Sequence, residues 1–222
     1  MHEYVIIVAA GAGSRMKSVL PKQFLDLAGK PVVAHTIERF YEYNNTMGIV
    51  LVLNHDYVEF WKDLCRTINF TIPHKVIAGG AERFDSVKKG LEEINSLDGI
   101  VGIHDAVRPL VSNHTLNLCY HTARELGNAV PVMPIHDTLR LVEAGVSKTV
   151  NRDLFRVVQT PQCFEINILR KAYQQNFQIG FTDDASVVES VGEKIILVEG
   201  NRDNFKITTP EDLALAKSLL SH

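Results

Sequence analysis

Short apolar runs alternate with amphipathic stretches through residues 1–135, and this alternation limits the fold more than any other feature of the sequence. The runs are rich in β-branched residues, which is typical of buried strands. They occupy residues 4–8, 49–53, 73–78, 100–103 and 129–135. Between them, apolar side chains recur at helical spacing. Strands and helices that alternate over short connections predict an α/β fold, in which helices cover both faces of a mainly parallel sheet.

A loop of small residues follows the first predicted strand. The sequence AAGAGSRM occupies residues 9–16, and two cations, Arg15 and Lys22, lie within it and just after it. Small side chains leave backbone N–H groups accessible, and such a loop suits an anion. The cations extend this prediction to a polyanion, for which a nucleoside triphosphate is the leading candidate. A plain strand-to-helix turn is the alternative interpretation.

Two standard nucleotide motifs do not fit this loop. The dinucleotide fingerprint G-x-G-x-x-G has Met16 in place of its third glycine. The phosphate loop G-x-x-x-x-G-K-[ST] does not occur in the sequence. The loop is therefore predicted to bind phosphate groups in another way.

Two further turns carry polar residues at predicted strand ends. Gly79-Gly80 is followed by Arg83 and Ser86, which either contact a base or ribose or merely begin a helix with Arg83 in solvent. The fourth strand runs directly into HDAVRP at residues 104–109. Because ligands of such sheets bind beyond the carboxyl ends of the strands, these turns and the loop at 9–22 are expected to converge on one site.

Asp105 ends an apolar strand, where a carboxylate needs a partner. A magnesium ion shared with substrate phosphates would be one, since Mg²⁺ typically uses one or two carboxylates with substrate oxygens. An ion pair with Arg108 is the alternative. His104 is expected to orient a neighbour, and the nine histidines include no H-E-x-x-H spacing.

Residues 137–158 break the alternation. Residues 137–142 alternate polar and apolar side chains, residues 143–145 can turn the chain, and residues 146–150 can return as a second strand. An isolated hairpin is marginally stable, so this arm is expected to pack on a second subunit. Residues 1–136 and 159–222 are then predicted to form one α/β domain, and residues 137–158 to form the arm. Within that domain, QTPQ (159–162) is expected to lead into a helix over residues 165–174.

Composition argues against several other classes of protein. With 222 residues the chain can bury one sizeable core, and a net charge of -3 argues against a duplex nucleic-acid binder. No apolar run approaches the length that spans a membrane, and residues 5–10 follow no basic segment, so a cytoplasmic protein without a membrane partner is expected. Three well-separated cysteines favour neither a disulfide framework nor structural zinc.

Several motifs, in this order and spacing, give the chain a family resemblance over nearly its whole length. They are AAGAGSRM (9–16), PKQ (21–23), GGAERFDSV (79–87), HDAVRP (104–109), QTPQ (159–162), TDDAS (182–186) and NFKITTPEDL (204–213). The chain resembles the 2-C-methyl-D-erythritol 4-phosphate cytidylyltransferases of the non-mevalonate isoprenoid pathway. The resemblance implies a Rossmann-like three-layer sandwich of the nucleotide-diphospho-sugar transferase type. It also implies CTP as co-substrate, a divalent cation such as Mg²⁺, and a homodimer formed through residues 137–158.

The same resemblance assigns roles to individual residues of this chain. Arg15 and Lys22 match the pair that stabilises the pentavalent transition state, and Lys206 matches a further phosphate-binding lysine. The CTP site is matched by Ala10, Gly11, Ala12, Gly13, Gly80, Ser86 and Ala106. The acceptor site is matched by Asp105, Arg108, Thr138, Arg152, Thr160 and Thr182, with Thr138 and Arg152 reaching it from the partner's arm. Asp105 also matches the metal end of the site.

The chain departs from the family pattern at two places. Ala81 stands where an acidic residue on the cytosine side is expected, and Val107 gives the HDAVRP form that is frequent in ribitol-5-phosphate cytidylyltransferases. Residues 149–153, 181–184 and 198–201 look more like the isoprenoid enzyme. Ribitol 5-phosphate is therefore the alternative acceptor, and sugar 1-phosphates are a more distant one. A non-catalytic nucleotide sensor is the alternative from another class, which the retained cations disfavour.

Overall fold

The computed structural model describes residues 1–11 and 20–220. The strands are β1 (Glu3–Ala9), β2 (Asp26–Leu27), β3 (Lys30–Pro31), β4 (Gly48–Leu53), β5 (Lys75–Ala78), β6 (Ile100–Asp105), β7 (Asn128–Pro134), β8 (Leu139–Glu143), β9 (Val146–Val150), β10 (Arg156–Val158), β11 (Gln162–Glu165) and β12 (Leu197–Glu199). The helices are α1 (Val32–Tyr43), α2 (Val58–Thr67), α3 (Arg83–Glu92), α4 (Asn113–Leu126), α5 (Ile166–Ala172), α6 (Asp184–Glu189) and α7 (Pro210–Leu220). In the described ranges, no helix is long and apolar enough to cross a membrane.

Two of the eight described strands of the central sheet run opposite to the other six. Its order is β10-β7-β11-β6-β1-β4-β5, with β12 beside β7. β5, β4, β1 and β6 are parallel, as the alternation of strands and helices predicts. β11 runs antiparallel to both β6 and β7, and β10 is antiparallel to β7. Since β6 and β7 are both antiparallel to β11, they run in the same direction, and β12 is parallel to β7. The expectation of a mainly parallel sheet is thus confirmed: the half formed by β5, β4, β1 and β6 is wholly parallel, and in the other half only β10 and β11 run in the opposite direction.

The antiparallel strand β11 was not anticipated from the sequence. The helix predicted over residues 165–174 is present as α5, which begins at Ile166, but residues 162–165 before it form a strand. Gln162 pairs with Ile103 and Cys163 with Gly102, so this short strand lies in the middle of the sheet. Four residues are too few to show a strand period, and their position between β6 and β7 decides their conformation.

Alternate side chains of the central strands enter two separate cores. In β1, Val5 and Ile7 pack toward α1, α2 and α4. Ile6, between them, packs toward α3, α5 and α6. Since all three are wholly buried, the strand is covered on both faces, which explains its continuous apolar sequence. The three-layer sandwich expected from the family resemblance is confirmed.

A third, smaller core fixes the C-terminal segment beside the end of β6. Ile207 is wholly buried with Leu27, Val32 and Ala216 of α7. The backbone N–H of Ile207 donates to the carbonyl of Val107 at 2.9 Å. Lys206, the residue before it, is thereby placed at the carboxyl edge of the sheet.

The predicted arm contains a hairpin formed by β8 and β9. Glu143 pairs with Val146, and Ala144 and Gly145 make the turn with φ of 47° and 80°, the left-handed backbone of a tight two-residue turn. The last residues of the predicted arm join the central sheet and not the hairpin, because Val157 of β10 pairs with Met133 of β7. The hairpin ends at Val150, as the sequence predicted for its second strand, whereas residues 156–158 of the predicted arm belong to the central sheet.

Candidate active site

A cavity of about 290 Å³ lies at the carboxyl edge of the sheet. The three turns singled out in the sequence all contribute to its walls, and the segment after β12 adds Lys206. The lining residues include Ala10, Gly11, Lys22, Gly80, Arg83, Ser86, Asp105, Ala106 and Lys206. The expected convergence of these turns on one site is confirmed. Ala12, Gly13 and Arg15 lie outside the described residues, so their assigned roles stay predictions.

Lys22 is placed by its neighbours in the PKQ motif. Residues 22–24 form one turn of 3-10 helix, closed by the Phe24 N–H that donates to Pro21 at 2.9 Å. The side-chain amide of Gln23, only 2% exposed, donates to the carbonyl of Ala9 at 2.8 Å. This bond ties the turn to the end of β1, so that Lys22 lines the cavity. The PKQ motif stands out in the sequence, but this function of Gln23 does not.

The Gly79-Gly80 turn forms a cavity wall made largely of backbone. A Cβ on Gly79 would lie 2.7 Å from Ser86 Oγ and 2.9 Å from the Cβ of Ala10, so only glycine permits this approach. The Gly80 N–H donates to Ser86 Oγ at 3.1 Å, and the Ser86 hydroxyl donates to the Glu82 carbonyl at 3.1 Å. Ser86 lines the cavity but is wholly buried, and its described hydrogen bonds hold the turn.

Asp105 lies among several cations. Its Oδ2 is 3.1 Å from both Arg108 Nε and Lys206 Nζ. Burial alone would raise the pKa of this carboxyl, but the charges of Lys206, Arg83 and Arg108 more than offset it and hold the pKa well below its usual range. The ion pair with Arg108 that the sequence suggested is therefore present, and Lys206 joins it. The carboxylate stays ionised at any physiological pH.

His104 orients the polar residues around Asp105, as the sequence analysis expected. Its Nε2 lies 3.0 Å from the Arg108 carbonyl and its Nδ1 lies 3.0 Å from Thr160 Oγ1. Because a carbonyl only accepts, Nε2 carries the proton and the Thr160 hydroxyl donates to Nδ1. The same hydroxyl oxygen accepts the Asp105 N–H at 3.1 Å. Burial lowers the pKa of His104 to about 4, so the ring is neutral at pH 7.

A second cavity, of about 330 Å³, adjoins the first. Its lining contains four of the residues assigned to the acceptor, together with neighbours from the QTPQ and TDDAS motifs; the four are Asp105, Arg108, Thr160 and Thr182. Arg83, Asp105 and Lys206 line both cavities and so form the wall between them. The site is therefore divided into a part bounded by the small-residue turns and a part bounded by the later motifs.

Thr138 and Arg152 lie elsewhere in this chain. Both are exposed, and neither is among the residues that line the two described cavities. Arg152 donates through Nη1 to the carbonyl of His136, at the base of the arm. A single copy of the chain therefore does not bring these two residues to the site.

Buried amide side chains hold the loops around the second cavity, and the sequence analysis assigned them no role. Gln159 Nε2 donates to the Asn201 carbonyl at 2.9 Å, and Asn204 Nδ2 donates to the Thr160 carbonyl at 2.8 Å. Gln162 Nε2 donates to Asp183 Oδ2 at 2.8 Å. For Gln159 and Gln162 the signal in the sequence was the QTPQ motif itself, because a polar residue next to a buried strand needs a hydrogen-bond partner.

The carboxylates of the site suit a cation only if the substrate supplies further oxygens. Among residues 1–11 and 20–220, no group of three or more His, Cys, Asp or Glu side chains could hold a metal ion. Asp105 contributes one carboxylate to the wall between the cavities, and both of its cation contacts are at Oδ2. One carboxylate with substrate phosphates is the usual ligand set of Mg²⁺, so the residues present fit this ion.

Comparison with known proteins identifies the family. The model of one family, described as IspD: 2-C-methyl-D-erythritol 4-phosphate cytidylyltransferase, matches residues 4–222. The chain belongs to this family. A relative of that name from Bacteroides thetaiotaomicron is 49% identical over 221 residues, which are 99% of this chain and 100% of the relative. One from Phocaeicola vulgatus is 47% identical over 220 residues, again 99% and 100% of the two chains.

Solved structures agree with this assignment. The 2-C-methyl-D-erythritol 4-phosphate cytidylyltransferase from Thermus thermophilus is 31% identical to this chain and has a TM-score of 0.79. The match covers 100% of both chains. The sandwich fold and the family that the motifs implied are both confirmed.

Proposed function

We propose that the first cavity binds CTP, that the second binds 2-C-methyl-D-erythritol 4-phosphate, and that the cytidylyl group passes between them. The chain is a nucleotidyltransferase, a 2-C-methyl-D-erythritol 4-phosphate cytidylyltransferase of isoprenoid biosynthesis. The observation that supports the proposed placement is the pair of adjoining cavities with two cations, Arg83 and Lys206, in their common wall. A cytoplasmic location fits this proposal, because CTP is an intracellular nucleotide.

The reaction needs charge stabilisation more than proton transfer. An ionised oxygen of the acceptor phosphate attacks the α-phosphorus of CTP, and the bond from that phosphorus to the bridging oxygen breaks. Pyrophosphate leaves with the electron pair of that bond. Since the nucleophile is already an anion at neutral pH, no general base is required. The protein has to align the two phosphates and offset the charge that develops between them.

The cations of the site are suited to this task. Lys22 lines the nucleotide cavity, and we assign it, with Arg15, to the charge that develops on the α-phosphate and the leaving group. Lys206 lies in the common wall, and we assign it to phosphate oxygens on either side. Ala10 and Gly11 bring backbone N–H groups to the triphosphate. Gly80, whose N–H already donates to Ser86 Oγ, lines the cavity without a side chain that would obstruct the ligand. Ala106, which lines the first cavity only, is almost wholly buried.

A magnesium ion is part of this proposal. Asp105 would hold it together with phosphate oxygens of the substrates. The ion supplies positive charge that offsets the triphosphate. The same carboxylate keeps Lys206 and Arg108 in place through its Oδ2.

A second copy of the chain would complete the acceptor site. Thr138 and Arg152 are exposed near the hairpin, outside both described cavities. The region around them exposes apolar side chains that water does not favour, including Val142 at 66%, Val146 at 73% and Leu154 at 79% exposed. We propose that this surface packs on a partner and that the partner's arm brings both residues to the site.

An acceptor panel tests the function directly. CTP and Mg²⁺ are combined with 2-C-methyl-D-erythritol 4-phosphate, ribitol 5-phosphate or a hexose 1-phosphate, and pyrophosphate release is followed over many turnovers. Release is expected with the first acceptor and not with the others. Since relatives spanning the whole chain carry the methylerythritol name, ribitol phosphate is not favoured. Turnover with ribitol phosphate alone would overturn the assignment, and no turnover with any acceptor would favour a sensor.

A further inference from the structure

Arg83 forms an interaction that neither interpretation of the sequence anticipated. Its Nη1 donates to Asp184 Oδ1 at 2.9 Å, and its Nη2 donates to Asp184 Oδ2 at 2.6 Å. Two parallel bonds of this kind orient a guanidinium as well as bind it. Arg83 is the first residue of α3, and Asp184 is the first residue of α6. The pair therefore connects the Gly79-Gly80 turn to the TDDAS motif, and of the two alternatives left open by the sequence, the solvated Arg83 is wrong.

The carboxylate that holds Arg83 is itself fixed. Asp184 is wholly buried, and its Oδ1 also accepts the Tyr173 hydroxyl at 2.7 Å. The ring of Tyr173 stacks on Phe84, with 4.7 Å between the ring centres. A buried carboxylate is stable only when it is paired and hydrogen-bonded, so Asp184 requires both partners. The guanidinium of Arg83 is thus held by a carboxylate that is itself fixed, although 31% of the Arg83 side chain is exposed.

Arg83 is placed where it can reach ligands in both cavities. It lines both cavities, and with Lys206 it provides the cations of their common wall in the described structure. Its charge also acts on Asp105, whose carboxylate forms the rest of that wall. Asp184 uses two of the five guanidinium N–H groups, which leaves donors for a ligand on the exposed side.

The remaining donors of Arg83 are better placed for a ligand in the second cavity, the proposed acceptor cavity, than for one in the first. Thr182 and Asp183, which precede Asp184, line the second cavity and are absent from the lining of the first. The carboxylate that orients Arg83 therefore directly follows the residues that line the second cavity. An acceptor phosphate must reach the common wall to attack the nucleotide, and there it would lie between Arg83 and Lys206.

We propose that Arg83 binds the acceptor phosphate, and that Asp184 and Tyr173 are positioning residues that hold its guanidinium in the common wall. This inference rests on the proposed function. A fixed fork recognises two phosphate oxygens at once, whereas a lysine provides a single point charge. Arg83 would thus select a phosphorylated acceptor and set the direction from which its oxygen attacks.

The first test is steady-state kinetics of Arg83→Lys with CTP and 2-C-methyl-D-erythritol 4-phosphate. Loss of one charge-assisted hydrogen bond should raise the KM for the acceptor by about 10-fold or more, with the KM for CTP changed by less than about 2-fold. Arg39→Lys is the matched control, because the Arg39 side chain is 28% exposed and bonds Val111 and Asn113 away from both cavities. That control should leave both KM values unchanged.

A second variant keeps the test informative if Arg83→Lys does not fold. Tyr173→Phe removes the hydroxyl that bonds Asp184 and keeps the ring that stacks on Phe84. A purely structural role would lower the melting temperature only, whereas positioning predicts a rise of about 3-fold in the acceptor KM alone. An unchanged acceptor KM in a folded variant, or an equal rise in both KM values, overturns the role of Arg83. Absence of pyrophosphate release from the wild-type protein would instead overturn the proposed function.

Discussion

Single residues of the site are held in place by uncharged neighbours. Gln23 ties Lys22 to β1, and Asn204 accepts a bond of 2.7 Å from Arg108 Nη1 through its carbonyl. The sequence predicted the cations, because Arg and Lys beside small-residue turns favour phosphate. It could not predict the residues that hold them, since buried glutamine and asparagine bonds depend on contacts made by distant segments.

Lys22→Ala should lower kcat by about 10²–10³, because a preorganised charge opposite the developing negative charge is lost. The melting temperature should change little, since Lys22 is only half-buried. Pyrophosphate release measures the rate and thermal unfolding measures stability. Lys30→Ala is the control, because Lys30 is bonded to Glu38 away from the cavities. A rate near that of the wild type would exclude Lys22 from the chemistry.

The buried His104 should make stability depend on pH. In the unfolded chain the imidazole binds a proton near pH 6.5, whereas in the folded chain it does so only near pH 4. Stability should therefore fall as pH drops through this window, by about 2 kcal/mol between pH 7 and pH 5. Urea unfolding at the two pH values measures the loss. His104→Gln cannot titrate, and an equal loss in that variant would assign the effect to other groups.

At the level of elements, the strand ends of the parallel half could be predicted well. A parallel sheet gathers its carboxyl ends at one edge, so residues 9–11, 79–86 and 104–109 had to meet. The later elements were harder, because β11 is only four residues long and lies between strands that are distant in sequence. Its contribution to the second cavity, through Gln162, could not be derived from a local pattern.

The Gly79-Gly80 turn should not tolerate a side chain. A Cβ on Gly80 would overlap with the Cβ of Asp85 in α3, so Gly80→Ala should cost about 1–3 kcal/mol of stability and weaken CTP binding. Urea unfolding and calorimetric titration with CTP measure the two effects. Gly180→Ala is the control, since a Cβ there meets nothing within 4 Å. Equal behaviour of the two variants would contradict the close approach of the turn to α3.

At the scale of the whole molecule, the proposed dimer places Arg152 in the site of a partner. Lys22→Ala and Arg152→Ala proteins should each be nearly inactive alone, because each lacks one residue in every site. In an equal mixture that exchanges subunits, hybrid dimers carry one intact site, so about a quarter of wild-type activity should return. Lack of recovery, with exchange verified by labelled subunits, would place Arg152 and Lys22 in the same chain's site.

The antiparallel strand in the middle of the sheet bears on the order in which the protein is assembled. Ile103 of β6 pairs with Gln162 of β11, which is synthesised much later, so this edge of β6 stays unpaired until then. During synthesis, the parallel half can bring together the walls of the first cavity that come from residues 9–11, 80–86 and 105–107 while the later strands are still absent. The second cavity, whose wall includes Thr160 and Gln162, can close only afterwards. Lys206 lines both cavities and is synthesised later still, so a nascent chain would build most of the first cavity early but complete the two together.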